Sequence, residues 1–450
     1  MTKEERTLKQ LGHHRERGIA ARVWPLLLLI LALLLPPPAT AQSAPDYPAR
    51  AAQLVERLRA PGGEEDFFSP VFLNAVPVAQ WRALTESWRK DHGPPTALGA
   101  VTPDGPTSGS VEIRYARATL GFQLVLAPAA PHRVIGLRLT GVKQAGDTLA
   151  KVAADLAALP GNVAFAAARL GDGAPSVILG QNVDRPMAVA SSFKLYVLAE
   201  LARATAAGER RWSDVAPLAH KSFSGRLSRY PDNAPMTLHS LAAAMIAESD
   251  NGASDTLMLA LGRDRVDAML ATTGHAAPER ALPLLTTTEA FALKMPAHRD
   301  LRDRWASADS SHRAALLATS AARLSASSVD VGQVAEKPVA IDSIEWFAAP
   351  MDMVRLLDWL RVHGGDALPI MAINPAIGPA DAARWARLGY KGGSEPGVIA
   401  MNFLGQRRDG QWIALAASWN DPDALVDEAA FHALMARALT LLSDGDFPEK

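Results

Sequence analysis

The chain has no cysteine in 450 residues. Disulfides, zinc–thiolate centres and thiol nucleophiles are therefore excluded, and so is a lipid anchor on a cysteine behind a leader peptide. Excess charge is missing too. Lys and Arg number 46 against 47 Asp and Glu, a net charge of −1, which leaves no electrostatic footprint for nucleic acid or an acidic polymer. The apolar run at 24–35 falls well short of the roughly twenty residues a membrane-spanning helix needs. No G-x-S-x-G elbow occurs, which argues against an α/β-hydrolase. Neither H-E-x-x-H nor a histidine cluster marks a metal site, and histidines such as His220 and His239 read as surface or core residues. No cofactor is implied. With 48% apolar residues, the chain can still bury two substantial cores.

Lys3, Arg6, Lys9, Arg15, Arg17 and Arg22 form a basic leader ahead of the apolar run. Pro36, Pro37 and Pro38 break that run, and Ala39-Thr40-Ala41 supplies small residues for cleavage before Gln42. The pattern predicts a secretory signal peptide over 1–41. The mature protein is then expected in the periplasm or outside the cell, with no membrane attachment after cleavage.

After a short polar linker, 46–60 and 78–91 have helical patterning, with Phe67, Phe68, Phe72 and Leu73 between them. Period-2 alternation then predicts strands at 109–117, 120–127 and 132–140. Helices followed by an antiparallel sheet suggest a small α+β domain over 42–146. Its element order resembles cone-shaped folds of the steroid-isomerase kind, and no catalytic pair can be placed in it. The remainder, 147–450, reads as α/β. It has a helix at 147–159, strands at 163–170 and 176–179, then helices at 238–248, 252–261, 302–324 and 350–362. Strands at 397–404 and 412–418 and a helix at 425–442 close the chain. The pattern predicts one sheet built from both ends of this domain with helices between.

The stretch Ala190-Ser191-Ser192-Phe193-Lys194 opens a helix apolar on nearly every side, which belongs inside a domain. Residues three apart share a helix face, so the Ser191 hydroxyl and the Lys194 amine are expected to meet. A serine is a weak nucleophile until a base takes its proton, and a lysine in a dry pocket has its pKa lowered towards that task. The motif alone is weak, because Ser87-Trp88-Arg89-Lys90 repeats it. Two further motifs follow Ser191. Ser249-Asp250-Asn251 sits at a break between helices, where Asp250 and Asn251 suit a capped turn. Lys391-Gly392-Gly393-Ser394 follows a strand, and its glycines let a strand edge approach a ligand closely.

In this order the three motifs resemble the signature of class A β-lactamases and penicillin-binding proteins. The resemblance covers roughly 147–445 and implies a serine hydrolase working through an acyl-enzyme on a small-molecule substrate, a β-lactam, peptide or ester. It implies Ser191 as nucleophile, Lys194 as base or proton relay, Ser249 as proton donor to the leaving nitrogen and Asn251 as holder of the substrate amide. Lys391 and Ser394 would face a substrate carboxylate, and the Ser394 and Ser191 N–H groups, beside Gly393, would form an oxyanion hole.

Two positions depart from the family pattern. Gly392 stands where threonine is usual. The glutamate that activates the deacylating water, normally in E-x-x-L-N, has only Glu279 of Glu279-Arg280-Ala281-Leu282-Pro283 as a candidate. A small α+β domain ahead of such a catalytic domain also resembles a branch of serine hydrolases associated with clavulanic-acid gene clusters. The alternatives are a D,D-peptidase or esterase with slow β-lactam turnover, and a catalytically silent binding protein.

Overall fold

The computed structural model describes residues 46–445 and 447; the leader expected over 1–41 lies outside them. Helix α1 (Tyr47–Arg59) starts where the Asp46 carboxylate accepts the Ala49 N–H, and it buries Ala51, Leu54, Val55 and Leu58. Helix α2 (Val78–His92) turns Trp81 inward. Both rest on an antiparallel sheet of β1 (Pro95–Pro103), β2 (Ser108–Tyr115), β3 (Ala118–Leu126) and β4 (Val134–Gln144), in that spatial order. Buried residues alternate along β3, the period of a strand with one covered face. Phe68 stacks on Phe72 at 4.3 Å and meets Trp81 edge-on at 4.8 Å. The apolar cluster here draws its buried residues from 47 to 134 alone. Strand β1 escaped the sequence pattern because a proline stands at each end and two register shifts interrupt its pairing. An edge strand tolerates both. Ser87, in the second serine–lysine motif, lies exposed on α2 and donates to Asp91 at 3.2 Å.

Beyond α3 (Leu149–Ala157), β5 (Asn162–Leu170) and β6 (Ser176–Gln181) open a second sheet. It is completed only by β7 (Arg387–Glu395), β8 (Val398–Gln406) and β9 (Trp412–Asn420), giving the antiparallel order β7-β8-β9-β5-β6. This is the expected mixed α/β arrangement, a sheet built from both ends with helices inserted. Strands β5, β8 and β9 are buried on both faces, because each face carries a helical layer. One layer is α3 with the C-terminal helix (Glu428–Asp444). The other contains α4 (Lys194–Ala206), α5 (Leu238–Ala247), α6 (Asn251–Leu261), α7 (Arg263–Thr272) and α8 (Thr287–Lys294). The helix expected over 302–324 is two, Arg299–Ser307 and Ser310–Ser320. Asp309 restarts the second by accepting the His312 N–H at 2.9 Å, a side-chain cap that competes with a continuous helix. No helix among the described residues is long and apolar enough to cross a membrane.

Candidate active site

Ser191 lies in a tight 3₁₀ turn (Ala190–Phe193), and the regular helix α4 starts at Lys194 rather than at the serine. Ala190 has a positive φ of 43°, a left-handed state that an L-residue adopts under constraint and that cannot continue into an α-helix. The interior expected for α4 is there, with every residue from 194 to 202 buried. Ser191 and Lys194 are not hydrogen-bonded to each other. The Lys194 amine instead donates to the Ser249 carbonyl and to Asn251 Oδ1, both at 2.7 Å, and stands 3.4 Å from Ser249 Oγ. Burial drives the Lys194 pKa down to about 7 against the pull of Asp255 and Asp250.

The second motif is held from below. Asp250 accepts the Ala253 N–H at 2.9 Å, capping α6, and the Leu227 N–H at 2.8 Å. Ser249 takes a positive φ of 57°, the strain that functional turns often carry. Asn251 spends both ends of its amide inside the protein, accepting from Lys194 and donating to Ser224 Oγ at 2.8 Å. It is half-buried, and it helps hold Lys194 in place.

The third motif lies inside β7 rather than beyond a strand, with Lys391 opposite Asn402 and Ser394 opposite Ile399 on β8. Lys391, 2% exposed, donates to Ser249 Oγ at 3.0 Å and to the Gly392 carbonyl. Burial first, and the nearby Lys194 second, depress its pKa well below the ordinary value. At Gly393 a Cβ would stand 2.3 Å from the Ser191 nitrogen and 2.6 Å from the Val189 carbonyl oxygen. Only glycine lets the strand close onto the Ser191 turn. At Gly392 a Cβ would fall 1.9 Å from the Tyr390 hydroxyl. The tyrosine occupies the space that threonine would need.

Ser191, Ser249, Tyr390, Lys391, Gly393 and Ser394 line one cavity of about 270 Å³. Glu279 does not; it is exposed on the short helix Pro278–Ala281. The carboxylates lining the cavity are Glu248 and Glu428. Glu248 is gripped by Arg226 at 2.7 and 2.9 Å, which holds it below the usual carboxylate range. Sequence reasoning missed two residues. Asn402 is 2% exposed and donates to Ser192 Oγ at 2.8 Å and to the Lys391 carbonyl at 3.2 Å, tying the Ser191 turn to the strand. Its signal was an asparagine within the apolar run 398–404. Tyr390 is the other, with Gly392 two residues on as its trace.

Residues 147–328 match the model of a beta-lactamase enzyme family. The matched segment carries Ser191, Lys194 and the Ser249–Asn251 turn and stops before β7, which the fold returns to their side. It is similar to serine hydrolases of the β-lactamase family. No curated protein matches the chain. Among solved structures, a β-lactamase from Sphaerobacter thermophilus is similar at 20% identity over 67% of this chain and 98% of that one, with a TM-score of 0.46. A β-lactamase from Chitinophaga pinensis is similar at 19% identity over 66% and 98%, TM-score 0.43. PBP-A is similar at 14% identity over 66% and 94%, TM-score 0.42.

Proposed function

We propose that this protein is an exported serine hydrolase that forms an acyl-enzyme on Ser191 with a β-lactam or a related amide or ester. The observation that carries this reading is the hydrogen-bonded set Lys194–Ser249–Lys391, in which Ser249 and Lys391 line one cavity with Ser191 and Lys194 is buried behind Ser249. A neutral lysine amine has two N–H donors and one lone pair. Both donors are taken, by the Ser249 carbonyl and Asn251; the hydroxyl beside the amine is Ser249 Oγ at 3.4 Å, and the lone pair is left for a hydroxyl proton. Ser191 Oγ attacks the substrate carbonyl carbon while its proton passes to Lys194. Lys391 already donates to Ser249 Oγ, so the Ser249 hydrogen is free to move to the leaving nitrogen and to be replaced from Lys194. The Ser191 and Ser394 N–H groups would receive the oxyanion, worth about 3–4 kcal/mol per donor in such sites. Lys391 and Ser394 would attract a substrate carboxylate.

The second reading, a D,D-peptidase or esterase with a long-lived β-lactam adduct, is favoured by one observation. Glu279 is exposed away from the cavity, and Glu248 is committed to Arg226. With Glu248 held by Arg226, the other carboxylate lining the cavity, Glu428 on the C-terminal helix, is the one left to serve as a water-activating base. The division near residue 146 and the cone-shaped likeness of 42–146 belong to the same proposal. They are supported by a separate apolar cluster beneath a four-stranded sheet.

Intact mass of the mature protein mixed with penicillin G, beside Ser191→Ala, tests the reading. An adduct of the penicillin's mass is expected on the wild type and none on the variant. Its disappearance as product accumulates would mark a β-lactamase, and its persistence the second reading. No adduct on the wild type would overturn both.

A further inference from the structure

Behind the Ser191 turn lies a charged cluster that the chemistry above does not use. Lys294 ends α8, Glu345 precedes Trp346, and Glu395 ends β7. Their side chains are 1%, 0% and 5% exposed. The Lys294 ammonium donates to Glu345 Oε1 at 3.1 Å and to Glu395 Oε1. Glu345 Oε2 accepts the N–H of Trp346 and the N–H of Ala190, each at 3.1 Å. One buried cation thus bridges the residue before Ser191 to the residue after Ser394.

Two carboxylates and one lysine would leave a net negative charge in the interior, which is costly. The arrangement avoids it. Burial and the adjoining Glu345 hold Glu395 far above the usual carboxylate range, with Lys294 opposing. Glu345 serves two backbone N–H groups and Lys294. Ala190 is the strained residue of the turn, and its φ helps set where the Ser191 N–H points. Strain of this kind persists only where the surroundings over-determine it. Gly393, packed against the Ser191 nitrogen, brings the two halves together, and the Lys294 cluster fixes both from behind.

We infer that Lys294, Glu345 and Glu395 are positioning residues that clamp the Ser191 and Ser394 N–H groups into one oxyanion site. This rests on the acyl-enzyme reading at Ser191. A clamp acting on transition-state donors lowers the acylation rate constant and leaves ground-state binding through Lys391 intact, whereas a merely stabilising cluster lowers only the melting temperature.

The test is saturation kinetics of penicillin G acylation, separating the rate constant at saturation from the dissociation constant, with thermal melting to establish that each variant is folded. Lys294→Met and Glu345→Ala are expected to lose about a hundredfold in the rate constant, the scale of one misplaced oxyanion donor, with the dissociation constant within about threefold. Glu395→Gln keeps an oxygen for the Lys294 ammonium and the shape of the side chain, and is expected to lose far less than Glu395→Ala. If Lys294→Met does not fold, Glu345→Gln substitutes for it. That change keeps an oxygen for the Ala190 N–H and turns an amide NH₂ against Lys294, and a loss of about tenfold is expected. Folded variants acylating within threefold of wild type, or a loss confined to the dissociation constant, would overturn the clamp while the Ser191 reading stands. A wild type that forms no adduct would overturn both together.

Discussion

Introducing threonine at position 392 should fail for a reason visible in the fold. A Cβ built on Gly392 lies 1.9 Å from the Tyr390 hydroxyl, 2.7 Å from its Cζ and 2.9 Å from the Ala400 carbonyl oxygen. Below about 3.0 Å something must shift. The ring packs on Phe403 with centroids 4.8 Å apart, which resists its displacement on that side. Overpacking of this kind costs about 1–3 kcal/mol, and Gly392→Thr should sit at the upper end of that range. Tyr390→Phe removes the nearest of the three atoms and leaves the other two. Gly392→Thr on the Tyr390→Phe background should then cost about 1 kcal/mol less than it does alone. The assay is a double-mutant cycle in urea, comparing unfolding free energies of wild type, both single variants and the pair. Contacting residues couple by roughly 0.5–3 kcal/mol, whereas independent sites add to within about 0.5. Additivity to within that margin would refute the claim that the tyrosine hydroxyl holds the threonine position.

The pH profile of acylation should rise through about 7, because Lys194 must be neutral to accept the Ser191 proton and burial brings its pKa to about 7. Below that point the lysine is protonated and the rate should fall about tenfold per unit; a flat profile between pH 5 and 8 would exclude Lys194 as the base. Gly393→Ala drives a methyl into the Ser191 nitrogen and the Val189 carbonyl. It should reduce penicillin adduct formation by at least a hundredfold, and adduct at the wild-type rate would contradict the packing argument. Asn402→Leu leaves Ser192 Oγ and the Lys391 carbonyl without their buried donor. Unfolding in urea should register a loss of about 1–3 kcal/mol. Glu279→Gln should leave any turnover within twofold, since the residue is exposed away from the cavity; a large loss would assign it the water.

The frame of this site is legible in the sequence because each motif is local and obeys a local rule. Ser191-x-x-Lys194 precedes an apolar run that can only be interior, and Asp250 in Ser249-Asp250-Asn251 is a helix cap that marks a break. What the sequence hides is the direction of each side chain. Lys194 was expected against Ser191, but Ala190 goes left-handed and the turn tightens. The amine turns instead to the Ser249 carbonyl and Asn251, groups more than fifty residues away. Asn251, expected to face substrate, also accepts from Lys194 and donates to Ser224. Lys294, Glu345 and Glu395 lie in three separate segments with no shared spacing, so no periodicity could join them. Charged residues are almost never fully buried unless paired, and from sequence each of these three looks like one more surface charge. Their meeting depends on β7 closing against the Ser191 turn, which in turn depends on Gly393 having no side chain. The same glycine that admits the strand to Ser191 therefore brings Glu395 to Lys294, so the site and the cluster behind it are two consequences of one contact.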